Sequence, residues 1–95
     1  MHIIFHVKNS AMTMRHDDLP RIFEYIGGVV NGTGGKALAV GGVPDHVHML
    51  VSMPKGLSIP DFVKTIKTAT TTWLKDNIDG YDKFAWQDGY GAFSV

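Results

Sequence analysis

His46 and His48, one residue apart, are the side chains in this sequence best suited to chemistry. In an extended segment successive side chains point to opposite faces, so His46, His48 and Leu50 share one side of a strand. A strand rises about 3.3 Å per residue, which sets the two imidazoles roughly 6.6 Å apart at the Cα level and lets them lean toward one ion. Two ligands rarely make a tight site, so a third group from another element has to join them. A bare His-x-His is also what ordinary strand histidines look like, and the spacing alone decides nothing. Asp45, just before the pair, either orients one of the imidazoles or serves the Pro44-Asp45 turn.

A second pattern lies further along. Lys64, Lys67, Thr68, Thr71 and Lys75 recur at helical spacing and line one stripe, opposite Phe62, Ile66 and Trp73. Three cations and two hydroxyls suit a phosphate backbone, and the plain alternative is a solvated helix face. Nine basic residues balance nine acidic ones, so a nucleic-acid role rests on where the cations sit and draws nothing from the total charge. Asn31 to Lys36 is rich in glycine but follows a helical pattern and lacks the Lys-Ser/Thr ending of a phosphate loop, so it reads as a helix stop. Phe84 and Trp86 are expected to pack under the last strand, with base stacking as the alternative. His2 and His6 share a strand face whose surroundings the sequence leaves open.

The elements that must position these residues follow from periodicity. His2 to Lys8 is β-branched, aromatic and partly alternating, which predicts a strand. Asn9 to Met14 reads as a loop. Asp17 or Asp18 is placed to cap a helix that tolerates Pro20 in its first turn and repeats Leu19, Ile22, Phe23, Ile26, Val29 and Val30 along one face. Gly27-Gly28 inside that helix costs up to about 1 kcal/mol per residue against alanine, which predicts a close approach by another element. Asn31 to Gly35 ends the helix with residues that accept positive φ. Lys36 to Gly42 and His46 to Met53, joined by Val43-Pro44-Asp45, predict an antiparallel hairpin. Ser58-Ile59-Pro60-Asp61 reads as a capping-box variant, opening a long helix with Ile59, Phe62, Val63, Ile66, Ala69, Trp73 and Leu74 on its apolar side. A polar connector from Asn77 to Lys83 leads to a final segment whose last residues look like a strand beginning.

The order strand, helix, strand, strand, helix, strand predicts an α+β plait of the ferredoxin-like type (βαββαβ), an antiparallel-rich sheet with two helices on one face. The 95 residues form one domain, residues 1–95, and 44% hydrophobic with 19% charged residues excludes a disordered chain. With no cysteine, disulfides and thiolate zinc sites are excluded. The apolar stretches are too short to span a bilayer, and the expectation is a cytoplasmic protein without a membrane role.

Taken together, several segments resemble one family. Gly41-Gly42-Val43-Pro44-Asp45-His46-Val47-His48-Met49-Leu50-Val51 looks like the signature of the single-tyrosine HUH transposases of insertion sequences and repetitive palindromic elements. His2 to Asn9 resembles that family's first strand, and Leu57-Ser58 through Lys67 with Trp73-Leu74 resembles its second helix. Phe84 to Val95 is close to the subgroup associated with repetitive palindromes. The resemblance implies a homodimer of ferredoxin-like domains that recognises hairpins in single-stranded DNA. It implies a divalent ion, magnesium or manganese, on His46 and His48 together with a polar residue of a later helix. A tyrosine on that later helix would attack the scissile phosphate and leave a 5′-phosphotyrosine.

Against this pattern, the sequence stops where the family's last strand begins, so the nucleophile and third ligand are expected beyond Val95. Of the three tyrosines, Tyr25 is expected at the edge of the core and Tyr81 exposed in the connector. Tyr90 matches the family's Gly-Tyr-Gly position, which does not carry the nucleophile. The enzymatic reading is therefore open. The alternative is a non-catalytic remnant that binds single-stranded or hairpin DNA without cutting it.

Overall fold

The computed structural model describes residues 1–9 and 12–95, so the loop expected over Asn9 to Met14 falls partly outside the described residues. Strand β1 (His2–His6) buries Ile3 and Phe5 and turns His2, Ile4 and His6 the other way. A short 3₁₀ turn over His16–Asp18 runs directly into α1 (Leu19–Gly32), whose buried residues Leu19, Ile22, Ile26 and Val30 keep the helical period. The expected aspartate cap is not there. Asp18 has helical dihedrals (φ −88°, ψ −13°) because the 3₁₀ turn already continues the helix, and its side chain makes no capping bond. Its carboxylate instead accepts from Tyr81 Oη at 2.8 Å and Arg15 Nε at 2.9 Å.

The close approach expected at Gly27-Gly28 is also absent. A Cβ on Gly27 would lie 3.9 Å from Ala37 Cβ, ordinary contact, and one on Gly28 would meet nothing within 4 Å. The stop after α1 is as expected, with Gly34 at φ +92°. Strands β2 (Lys36–Val43) and β3 (His46–Ser52) form the antiparallel hairpin, with a register shift between Ala37 and Ala39 that leaves Leu38 bulged outward and 56% exposed. Helix α2 (Ile59–Asn77) starts at Ser58, whose Oγ accepts from the Asp61 N–H at 3.3 Å. It buries Phe62, Val63, Ile66, Thr70 and Leu74.

The connector after α2 is less polar in place than in sequence. Tyr81, expected to be exposed, is fully buried. Its hydroxyl accepts from the Arg15 N–H at 2.8 Å and donates to Asp18, its ring carries the Arg15 guanidinium 4.7 Å from the centroid, and Phe84 packs edge-on at 5.7 Å. A polar phenol goes inside here because both functions of its hydroxyl find partners. Phe84 is buried as expected, and Trp86 stands edge-on to Phe5 and Phe84 at 4.9 Å each, its indole N–H donating to Lys67 O at 3.1 Å.

Strand β4 (Gly91–Phe93) completes a four-stranded antiparallel sheet in the order β2-β3-β1-β4. This is the ferredoxin-like plait. Ile3, Phe5, Val47, Met49 and Val51 share one core cluster with the buried residues of α1 and α2, so both helices cover the same face. Among the described residues no helix is long and apolar enough to cross a membrane.

Candidate functional site

The other sheet face carries the histidines. Val47, Met49 and Val51 of β3 point into the core, so His46 and His48 are held on the opposite side. Their ring centroids lie 6.3 Å apart, close enough for a small side-chain rotation to bring both onto one ion. Pairing with β1 sets His6 opposite His46 and Ile4 opposite His48. The centroid of His6 is 5.1 Å from that of His46, and that of His2 is 5.9 Å from that of His48 in an edge contact. Four imidazoles thus form a row, His6, His46, His48, His2. Sequence periodicity left His2 and His6 unassigned because it does not say which strands become neighbours.

Three residues around the pair have a visible positional reason. Asp45 Oδ1 lies 2.8 Å from His46 Nδ1, and a carboxylate only accepts, so Nδ1 carries the proton and Nε2 keeps its lone pair for a ligand. On β2, a Cβ at Gly41 would come 3.3 Å from His48 Cε1, so glycine makes room for that ring. Gly42 has φ +152°, and a Cβ there would lie 2.2 Å from the His46 carbonyl oxygen, which excludes any side chain. The donor set suits a divalent ion at two positions only. Among the described residues no group of three or more histidine, cysteine, aspartate or glutamate side chains is arranged to hold a metal.

The stripe on α2 is partly occupied with its own structure. Lys64, Thr68 and Lys75 are exposed. The Lys67 ammonium donates to the carbonyls of Gln87 at 2.8 Å and Gly89 at 2.7 Å. Burial lowers its pKa, with the Asp88 charge acting in the opposite direction. Thr71 Oγ1 donates to Lys67 O at 2.9 Å, the back-bond common for threonine inside a helix. Two shallow cavities lie between this stripe and the connector. One, of about 300 Å³, involves Lys64, Lys67, Thr68 and Tyr90, and the other, of about 400 Å³, involves Thr71, Lys75 and Trp86.

The tyrosine hydroxyls divide clearly. Tyr25 stacks on Trp73 at 4.6 Å and donates to Ala69 O at 3.3 Å, on the helical side, in keeping with its expected place at the core edge. Tyr81 is buried and doubly bonded. Tyr90, 40% exposed, sits where the connector enters β4.

Comparison with curated proteins finds no match. Among solved structures, a protein of Deinococcus radiodurans R1 described as a transposase superposes with a TM-score of 0.84 at 21% identity, covering 99% of this chain and 76% of its own. The REP-associated tyrosine transposase, solved bound to a REP hairpin, superposes with a TM-score of 0.65 at 16% identity. That match covers 95% of this chain, which spans about half (52%) of the other protein. At these identities the likeness establishes the fold. Residues 1–95 match the family described as Transposase IS200 like, and the chain belongs to that family.

Proposed function

We propose that this chain is the metal- and DNA-handling domain of a single-strand transposase, holding a divalent ion, magnesium or manganese, on His46 and His48. The observation that carries the reading is the Asp45–His46 contact of 2.8 Å, which leaves Nε2 free on the open sheet face beside His48. A bound ion would supply Lewis-acid polarisation of a phosphate oxygen. The protein's own part is to orient the imidazoles through Asp45 and Gly41 and to guide the DNA. Lys64, Thr68 and Lys75 are the free members of the α2 stripe for phosphate contacts, whereas Lys67 and Thr71 act through the backbone they brace.

Single-stranded or hairpin DNA is the partner this arrangement serves. Support comes from the family membership and from the neighbour that was solved with a REP hairpin. Assembly as a homodimer belongs to the same reading. Strand cleavage needs a nucleophile in addition. Tyr25 and Tyr81 have engaged hydroxyls and Tyr90 is exposed, and the engagement of the first two favours the second reading, recognition without cutting.

Calorimetric titration with manganese tests the metal assignment. Wild type should bind, the His46→Ala/His48→Ala variant should not, and Asp45→Ala should bind about 10- to 100-fold more weakly. Unchanged manganese affinity in the double variant would remove the assignment. Labelled hairpin DNA incubated with protein and manganese should give no denaturant-resistant adduct. An adduct mapping to Tyr25, Tyr81 or Tyr90 would overturn the view that the nucleophile lies outside this segment.

A further inference from the structure

The cavity beside β4, on the histidine side of the sheet, measures about 290 Å³. Tyr90 and Phe93 frame it, 40% and 55% exposed, Ile4 lines it from β1, and His6 lies at its end toward His46. Asp88 and Gln87 complete the rim. We propose that this cavity is a base-binding subsite for single-stranded DNA, with Tyr90 and Phe93 stacking on one nucleobase and Asp88 selecting guanine over thymine. This rests on the functional reading above and adds a specificity determinant to it.

Several observations converge on a base as the occupant. Two large exposed aromatics around one small cavity make a stacking platform, since every base has a π-face. Gly91 contributes by having no side chain: a Cβ there would lie 3.2 Å from Phe93 Cε2, so the ring lies back over the strand and leaves the cavity open. The volume is on the scale of one nucleotide and too small for a hairpin stem. Through His6 the cavity is continuous with the histidine row, with the His6 centroid 5.1 Å from that of His46.

Charge decides which part of the nucleotide enters. The Asp88 carboxylate repels a phosphate, so the cavity takes the base and leaves the backbone to the α2 cations. Asp88 and Tyr90 also line the neighbouring cavity that contains Lys64 and Thr68, so only the connector separates the two. A strand crossing that connector would pass from lysine to histidine. The turn is rigid because the Lys67 ammonium holds the carbonyls on both sides of Asp88, Gln87 O and Gly89 O, while the Gln87 N–H donates to His6 O at 2.9 Å. The backbone that carries Asp88 is thus fixed before binding, which lowers the ordering cost of the turn.

Selectivity follows from the donor pattern of the bases. A carboxylate only accepts. Guanine offers N1–H and N2–H side by side and can be bound in bidentate fashion, whereas the single N–H of thymine lies between two carbonyls that repel the carboxylate. Each good bidentate pair gives about 1–3 kcal/mol of discrimination, which is about 5- to 150-fold in affinity.

The test uses the full chain and a short oligothymidylate with or without one central guanine, with binding followed by fluorescence anisotropy at fixed salt. Wild type should favour the guanine-containing strand by at least about 5-fold. Asp88→Asn should lose that preference and still bind both strands. Tyr90→Ala should weaken both by about 5- to 150-fold, and Tyr90→Phe should bind as wild type does. Both residues are exposed, so an unchanged circular dichroism melt is expected for each variant. A preference that survives Asp88→Asn, or Tyr90→Ala binding as wild type does, overturns the subsite and leaves the wider functional reading in place. A wild-type chain that binds neither strand overturns both.

Discussion

Ile3, Phe5, Val47, Met49 and Val51 are buried against two helices, while the residues alternating with them, His2, Ile4, His6, His46, His48 and Leu50, remain half-buried or exposed. The same two strands supply both sets, paired in one register. On the covered face the side chains are apolar and close-packed. On the open face the sheet gathers four imidazoles that contribute little packing. A period of two thus separates the packed core from the candidate site within single strands, and a substitution on one face should leave the property of the other nearly unchanged.

The largest contrast tests that separation directly. Phe5→Ala removes a fully buried ring that meets Trp86, and such a change costs about 3–5 kcal/mol, a large part of the roughly 5–15 kcal/mol that holds a small domain. His46→Ala/His48→Ala removes one half-buried and one exposed ring, so it should cost far less than Phe5→Ala, on the order of 0.5 kcal/mol per position, and abolish manganese binding. Urea melts of the two variants, side by side, are the measurement. A histidine variant that unfolds as readily as Phe5→Ala would mean that the open face is structural too.

A smaller effect probes the polar group inside the covered layer. Tyr81→Phe leaves the Arg15 N–H and the Asp18 carboxylate without the hydroxyl between them, at a cost of about 1–3 kcal/mol. Burial pushes the Tyr81 phenol above its ordinary pKa, the Arg15 N–H opposes this, and the Asp18 carboxylate adds to it. The unfolded chain therefore loses this proton first, from about pH 10. The contribution is fully present below that pH and is lost as pH rises through the folded value. Melts between about pH 8 and 11 should show a steeper alkaline decline for wild type than for Tyr81→Phe. Parallel declines would show that the phenol is not the group responsible.

The smallest effect has the opposite sign. Thr70 Oγ1 is buried on α2 with no hydrogen-bond partner among the described residues. Thr70→Val keeps the shape and removes the orphan hydroxyl, so it should be neutral or stabilising by up to about 1 kcal/mol in thermal melts. A clear loss would show that the covered face needs polarity at this point.

Much of this was legible in the order of residues, and it was legible for a local reason. Strand and helix periods, the Ser58 cap, the helix stop at Gly34 and the Pro44-Asp45 hairpin depend on neighbours a few positions away, and these determined the plait and set His46 and His48 on one side. The glycines of the Gly41-Gly42 pair were visible as a motif, but their reason, the His48 ring and the His46 carbonyl, was not. What failed or stayed open in the sequence depended on partners far apart in the chain. Tyr81 goes inside because Asp18, 63 residues away, accepts a hydrogen bond from its hydroxyl, while Asp18 itself has helical dihedrals and does not cap α1. Lys67 is drawn from the α2 stripe by carbonyls 20 and 22 residues on. His6 and His2 join the histidine row only because β1 pairs with β3. Local pattern specifies which face a residue occupies, but who stands beside it is decided by strand order and register, which the close packing of the whole core selects.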